Sequence, residues 1–158
     1  MFREMARKKQ QLSREECIEV LKTQLRGVLS VLGDDGYPFG VPINHYYCED
    51  DGCLYFHGAR TGHRIDALRN SDKASFCAYD QGVRLPGDWA LTINSVIVFG
   101  RLSIVEDRDR TLEISRLLSR KFTDDEAYIE EEVRHSGPGT LLLRLLPEHM
   151  TGKRVHEK

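Results

Sequence analysis

Tyr55-Phe56-His57-Gly58-Ala59-Arg60-Thr61-Gly62-His63-Arg64 joins an apolar run to a turn rich in glycine and cations. Ile65 and Leu68 follow at helical spacing, which predicts a strand ending near His57 and a helix starting near Gly62. A helix start offers unpaired backbone N–H groups and the positive end of the dipole, and Arg60, His63 and Arg64 add charge around it. That chemistry suits a phosphate, and a surface turn with solvated arginines fits the same residues.

Upstream, Ser13-Arg14-Glu15-Glu16 reads as a capping box and predicts a helix over 14–24 that buries Cys17, Val20 and either Leu21 or Leu25. Gly27 to Leu32 reads as a short strand, Gly33-Asp34-Asp35-Gly36 as a turn and Tyr37 to Cys48 as a second strand. The turn Glu49-Asp50-Asp51-Gly52 then leads into Cys53 to His57, so two successive hairpins predict antiparallel sheet. This pattern pairs Val41-Pro42-Ile43-Asn44-His45 with the strand that ends at His57. Pro42 cannot donate to a ladder, so it marks an edge or bulge, open either to solvent or to a flat ligand.

Downstream, Lys73 to Tyr79 alternates as a half-buried strand, and Gln81 to Leu91 reads as a loop holding Pro86, Gly87 and Trp89. Asn94 to Val105 is the longest predicted strand, apolar on both faces around Ser95 to Gly100 and therefore central. Helices are expected over 107–121 and 124–133; Gly137-Pro138-Gly139 then breaks the chain before a last strand that ends at Pro147. Six strands with peripheral helices predict a mainly β fold, a six-stranded antiparallel barrel rather than a doubly wound sheet.

The 158 residues fit one domain, with 1–12 as a basic N-terminal extension and 81–92 as a variable loop. Lys+Arg 23 against Asp+Glu 25 argues against a nucleic-acid module, which needs a strongly basic face. No apolar stretch approaches the roughly 18 residues of a membrane span. The basic start Met1 to Lys9 lacks a following apolar region, so no membrane partner and a cytoplasmic location are expected. Cys17, Cys48, Cys53 and Cys77 form no C-x-x-C pair and are expected to be reduced, although Cys48 and Cys53 flank the hairpin turn and can face each other.

His45, Cys48, Cys53, His57 and His63 invite a metal, but strand parity sends His45 and Cys48 to opposite faces, and no metal site is expected. The chain has no G-x-S-x-G elbow for a hydrolase and neither a G-x-G-x-x-G fingerprint nor a Walker loop for a nucleotide. A single phosphate at Arg60 to Arg64, with the rest of its ligand along neighbouring strands, is what remains.

Three segments carry a family resemblance: Gly36-Tyr37-Pro38-Phe39-Gly40-Val41-Pro42, then Leu54 through Asp66, then Ser95-Val96-Ile97-Val98-Phe99-Gly100-Arg101. Together they closely resemble the pyridoxamine 5'-phosphate oxidase-related flavoproteins, and within them the 5-nitroimidazole antibiotic resistance (Nim) branch. The resemblance runs from about Met1 to Lys153, including Glu148-His149-Met150-Thr151-Gly152-Lys153, and the middle segment is its most specific part.

The resemblance implies a split β-barrel homodimer with FMN in a groove at the subunit interface. His57, Gly58, Ala59 and Arg60, with Gly62, His63 and Arg64, would hold the ribityl phosphate. Val41, Pro42, Ile43 and Asn44 would line the isoalloxazine, and Ser95 and Val96 would approach the cofactor from one subunit or the other. His57 matches the histidine beside the flavin in the Nim branch, as a proton donor, a substrate anchor or a structural residue. Some positions depart from the family pattern. Gly58 stands where Ser or Thr is usual, Arg60 and Arg64 stand where lysine is frequent, Asn94 stands where a basic or aromatic residue is common, and 81–91 is the least family-like segment.

The implied activity is oxidoreduction, from a reduced carrier such as a nicotinamide to a small flat acceptor such as a nitroaromatic. A flavin-binding carrier or sensor without turnover, and a split-barrel enzyme using deazaflavin or haem, are the alternatives. Trp89 would stack on a ligand or pack at the dimer interface.

Overall fold

Ser13 and Glu16 close the capping box: Ser13 Oγ accepts from the Glu16 N–H at 3.1 Å and the Glu16 carboxylate accepts from the Ser13 N–H at 2.8 Å. That box starts α1 (Arg14–Thr23) in the computed structural model, which describes residues 1–158. The chain continues through β1 (Arg26–Leu32), β2 (Pro38–Asn44), β3 (Tyr46–Cys48), β4 (Cys53–Gly58), α2 (His63–Asn70), β5 (Lys73–Tyr79) and β6 (Val83–Arg84). It ends with β7 (Leu91–Val105), α3 (Arg108–Ser119), α4 (Glu126–Ser136) and β8 (Leu141–His156).

Every strand belongs to one antiparallel sheet in the order β2-β1-β5-β7-β8-β4-β3, with β6 laid against the start of β7. Its two edge strands, β2 and β3, are consecutive in the chain and separated by His45 alone. A sheet whose edges are joined by one residue has to curl until those edges meet, which makes a barrel. The barrel stays open where β2 passes the end of β4, because β3 pairs with β4 only over Cys53 to Tyr55. The fold is a split β-barrel with peripheral helices.

Eight strands replace the six expected, for two physical reasons. His45 splits the long second strand: its N–H donates to Leu25 O at 3.4 Å, and its fully buried ring bonds Leu21 O through Nε2 at 2.7 Å. Gly82 and Gly87, at φ 79° and 77°, fold the expected loop back on β7 as β6.

The His45 break also corrects the expected hairpin. Val41 to Asn44 pair with β1, as in Leu29 with Val41 and Arg26 with Asn44, and only Tyr46 to Cys48 pair with β4. A third correction concerns Pro147, which does not end the last strand. The register shifts between Phe99 and Gly100, so Pro147 falls opposite Gly100 at an irregularity where its missing N–H costs no ladder bond, and β8 runs on to His156.

Alternation along β4 explains the two cores. Leu54 and Phe56 point into the barrel with Leu29, Phe76, Val96 and Leu143, capped by Cys17, Val20 and Leu21 of α1. Cys53 and Tyr55 point outward, where Ile114 of α3 covers them together with Cys48 and Leu142. No helix is long and apolar enough to cross a membrane.

Candidate functional site

The end of β4 and the start of α2 build a cradle beside the split. Ile65 and Ala67 anchor α2 in the barrel core, which fixes where its N-terminus points. Gly62 caps the helix at φ 123°, a conformation that favours glycine, and no side chain accepts from the first-turn N–H groups. Arg64 reaches back over Gly58: a Cβ at residue 58 would lie 2.6 Å from a terminal guanidinium nitrogen of Arg64.

Arg64 Nε is buried without a hydrogen-bond partner, and burial pushes the Arg64 pKa down. An unpartnered buried guanidinium nitrogen costs free energy that an anion would recover. Gly58, Gly62 and Arg64 therefore form a cradle with the chemistry to receive an anion, the helix dipole adding to the guanidinium charge.

The other residues singled out from sequence are spread around this cradle. His63 turns to β2, its ring stacked on Phe39 at 4.1 Å and its Nε2 3.6 Å from Asp34 Oδ2. Arg60 donates to Pro138 O at 3.3 Å, while Ala59 is exposed on the connecting turn. Pro42 faces outward opposite Val28, and Ser95 is paired with Tyr79 on β5. Val41 and Ile43 take the opposite parity, with Ile43 packed against the barrel core, and Val96 is wholly buried in that core. Asn44 is half-buried at the end of β2 next to His45.

His57 shares the outward parity of Cys53 and Tyr55, so its ring turns to α3 and α4 rather than to Arg64. One side is open to solvent; the other borders a small pocket of about 90 Å³ with Ser115, Ser119, Ser136 and Thr140. The surrounding protein lowers the His57 pKa from its ordinary value by desolvation.

Two features escaped the sequence reading. A cleft of about 470 Å³ opens on the outer sheet face beside Pro42, with Arg26 and Tyr79 in its wall. Neither residue belongs to a motif; the outward parity of Tyr79 in an alternating strand was the available signal. The second is Lys121, whose Nζ donates to Gln24 O at 2.7 Å and His45 O at 2.8 Å, tying the end of α3 to the closure of the barrel.

The sequence pattern of the pyridoxamine 5'-phosphate oxidase family matches residues 13–154. The chain belongs to that family.

Solved structures agree on the fold of this pyridoxamine 5'-phosphate oxidase family member. A conserved hypothetical protein from Mycobacterium tuberculosis has a TM-score of 0.79 at 17% identity, covering 95% of this chain and 90% of that one. A provisionally assigned 5-nitroimidazole antibiotic resistance protein from Bacteroides thetaiotaomicron gives 0.75 at 16% identity, covering 93% and 87%. An FAD-binding protein from Mycobacterium smegmatis gives 0.61 at 24% identity, covering 93% and 98%. No curated protein matches the sequence. Within the family frame, the cradle at Gly58, Gly62 and Arg64 falls inside the matched segment, as does the outer-face cleft.

Proposed function

We propose that the protein binds FMN and acts as an oxidoreductase, passing electrons from a reduced carrier such as a nicotinamide to a small flat acceptor such as a nitroaromatic. The observation that carries the reading is Arg64: a buried guanidinium nitrogen without an acceptor, poised over Gly58 at an uncapped helix start. One phosphate fits that cradle, and FMN carries one. Membership of the pyridoxamine 5'-phosphate oxidase family and the likeness to an FAD-binding protein and to a provisional nitroimidazole resistance protein support a flavin ligand.

In this reading Arg64 and the first N–H groups of α2 hold the phosphate, and the absence of a side chain at Gly58 leaves room for the guanidinium. Val41 to Asn44, at the free edge of β2, line the ring, with Pro42 offering a surface that makes no ladder demand. FMN supplies the electron transfer; the chain binds it, orients it and keeps water from it. His57, whose pKa desolvation lowers, is the proposed proton donor or substrate anchor. A homodimer would bring the exposed apolar residues Ile97 and Phe99 of the outer sheet face out of water.

The test is the absorption spectrum of purified protein with its chromophore identified by mass, followed by titration with FMN and FAD. Bound FMN, lost in Arg64→Ala, is the expected result. Protein that stays colourless and takes up neither flavin would overturn the proposal.

A further inference from the structure

The outer-face cleft beside Pro42 has the composition of an anion site. Its lining includes Gln24, Arg26, Val28, Pro42, Tyr79 and Gln81, and no carboxylate. Arg101, Arg110, Arg116, Arg120 and Arg154 are each held by a carboxylate, whereas no acid stands in the cleft to meet Arg26. The nearest acid in sequence, Asp80, turns elsewhere: its Oδ1 accepts from the N–H groups of Gly82 and Asn94, both at 3.0 Å, and its Oδ2 from Asn94 Nδ2 at 2.9 Å.

Negative charge has been removed from the cleft in a second way. The C-terminal end of α1 reaches its wall, and the unpaired carbonyls of a helix end would repel an anion. Here Gln24 O accepts from the Lys121 ammonium at 2.7 Å and Leu21 O from His45 Nε2 at 2.7 Å. The positive charge of Arg26 is left without local opposition.

Part of the remaining wall is apolar. Tyr79 keeps 56% of its surface exposed, and Pro42 and Val28 sit side by side on the neighbouring strands. An aromatic ring could lie on Tyr79 and Val28 while a carboxylate met the planar fork of Arg26. The volume of about 470 Å³ admits a ligand of one or two rings.

We propose that this cleft binds a small aromatic carboxylate, held by Arg26 through its carboxylate and by Tyr79 and Val28 through its ring. The site adjoins the β2 segment assigned above to the flavin ring, so its role as an acceptor site rests on that reading; the binding itself does not.

Titration calorimetry with 4-nitrobenzoate and with its uncharged counterpart 4-nitrobenzamide tests the proposal, on protein without flavin and on protein preincubated with FMN. Wild-type protein should bind the carboxylate more tightly than the amide. Arg26→Gln should weaken 4-nitrobenzoate by about tenfold or more and leave 4-nitrobenzamide unchanged, as loss of a charge-assisted pair requires. Tyr79→Ala should weaken both. Arg26 is exposed, so its replacement leaves the fold intact, and circular dichroism of each variant checks this. Equal affinity for acid and amide, or an Arg26→Gln variant with unchanged 4-nitrobenzoate binding, would overturn the site. Failure of FMN uptake with carboxylate selectivity retained would overturn the flavin reading alone.

Discussion

Gly58 and Arg64 share one volume: the place of a side chain at residue 58 is taken by the guanidinium of residue 64, 2.6 Å from where a Cβ would be. The neighbour is the far end of a flexible side chain, so Gly58→Ala moves Arg64 rather than the backbone. Unfolding free energy should change by less than about 1 kcal/mol. FMN affinity, measured by fluorescence titration, should fall by about tenfold, the scale of one charge-assisted hydrogen bond misplaced.

His45 sets an acid limit on stability. Its ring is fully buried, and desolvation, with the Lys121 ammonium adding to it, pushes its pKa down to about 3. The unfolded imidazole takes up a proton near its ordinary value of 6.5, while the folded ring does so only near 3. Between those values the unfolded state binds more protons, so stability is fully present above pH 6.5 and declines as pH falls. The loss is on the order of 5 kcal/mol across the window. Urea unfolding at a series of pH values should show this slope, and His45→Gln, which keeps a donor for Leu21 O, should flatten it between pH 6.5 and 5.

These two residues also mark how far the sequence could be read. The capping box at Ser13, the turn at Gly36 and the alternation in Lys73 to Tyr79 are local signals, and each predicted its element. The strand-to-helix turn from Gly58 to Arg64 was equally visible, because helix start, glycine and arginine lie within a few residues of one another. The division of the second strand at His45 was not, since it depends on carbonyls of α1, some twenty residues away in the chain. The continuation through Pro147 likewise depends on a register shift in the partner strand β7. His63 and Arg60 stand next to the turn in sequence; in the structure His63 stacks on Phe39 and Arg60 donates to Pro138 O.

Lys121 joins α3 to the barrel through the carbonyls of Gln24 and His45, and burial lowers its pKa to about 8. Lys121→Met keeps the length and apolar stem but leaves both carbonyls without that donor. The expected cost is about 2 kcal/mol in urea unfolding, from two lost bonds to a charged group partly offset by the removed burial of charge. Because the carbonyls sit at the edge where β2 hands over to β3, amide exchange should accelerate at His45 and Tyr46 before it does in β7.

Gly152 seats the N-terminal segment against β8. The Leu12 N–H donates to Gly152 O at 2.9 Å, and a Cβ at residue 152 would run into Cys17 Sγ and stand 3.0 Å from Leu12 Cβ. Both neighbours belong to the barrel core, so neither can swing into solvent as Arg64 can. Gly152→Ala should therefore destabilise the protein by about 1–3 kcal/mol, the range for overpacking a close-packed interior. Cys17→Ala removes the nearest obstructing atom, at its own cost in lost packing. In the double variant Gly152→Ala/Cys17→Ala the two losses should add to less than their sum, by about 1 kcal/mol, because the new methyl occupies the volume left by sulfur. Strict additivity of the two losses, measured by chemical denaturation of all four proteins, would show that the strain at Gly152 comes from the Leu12 side instead.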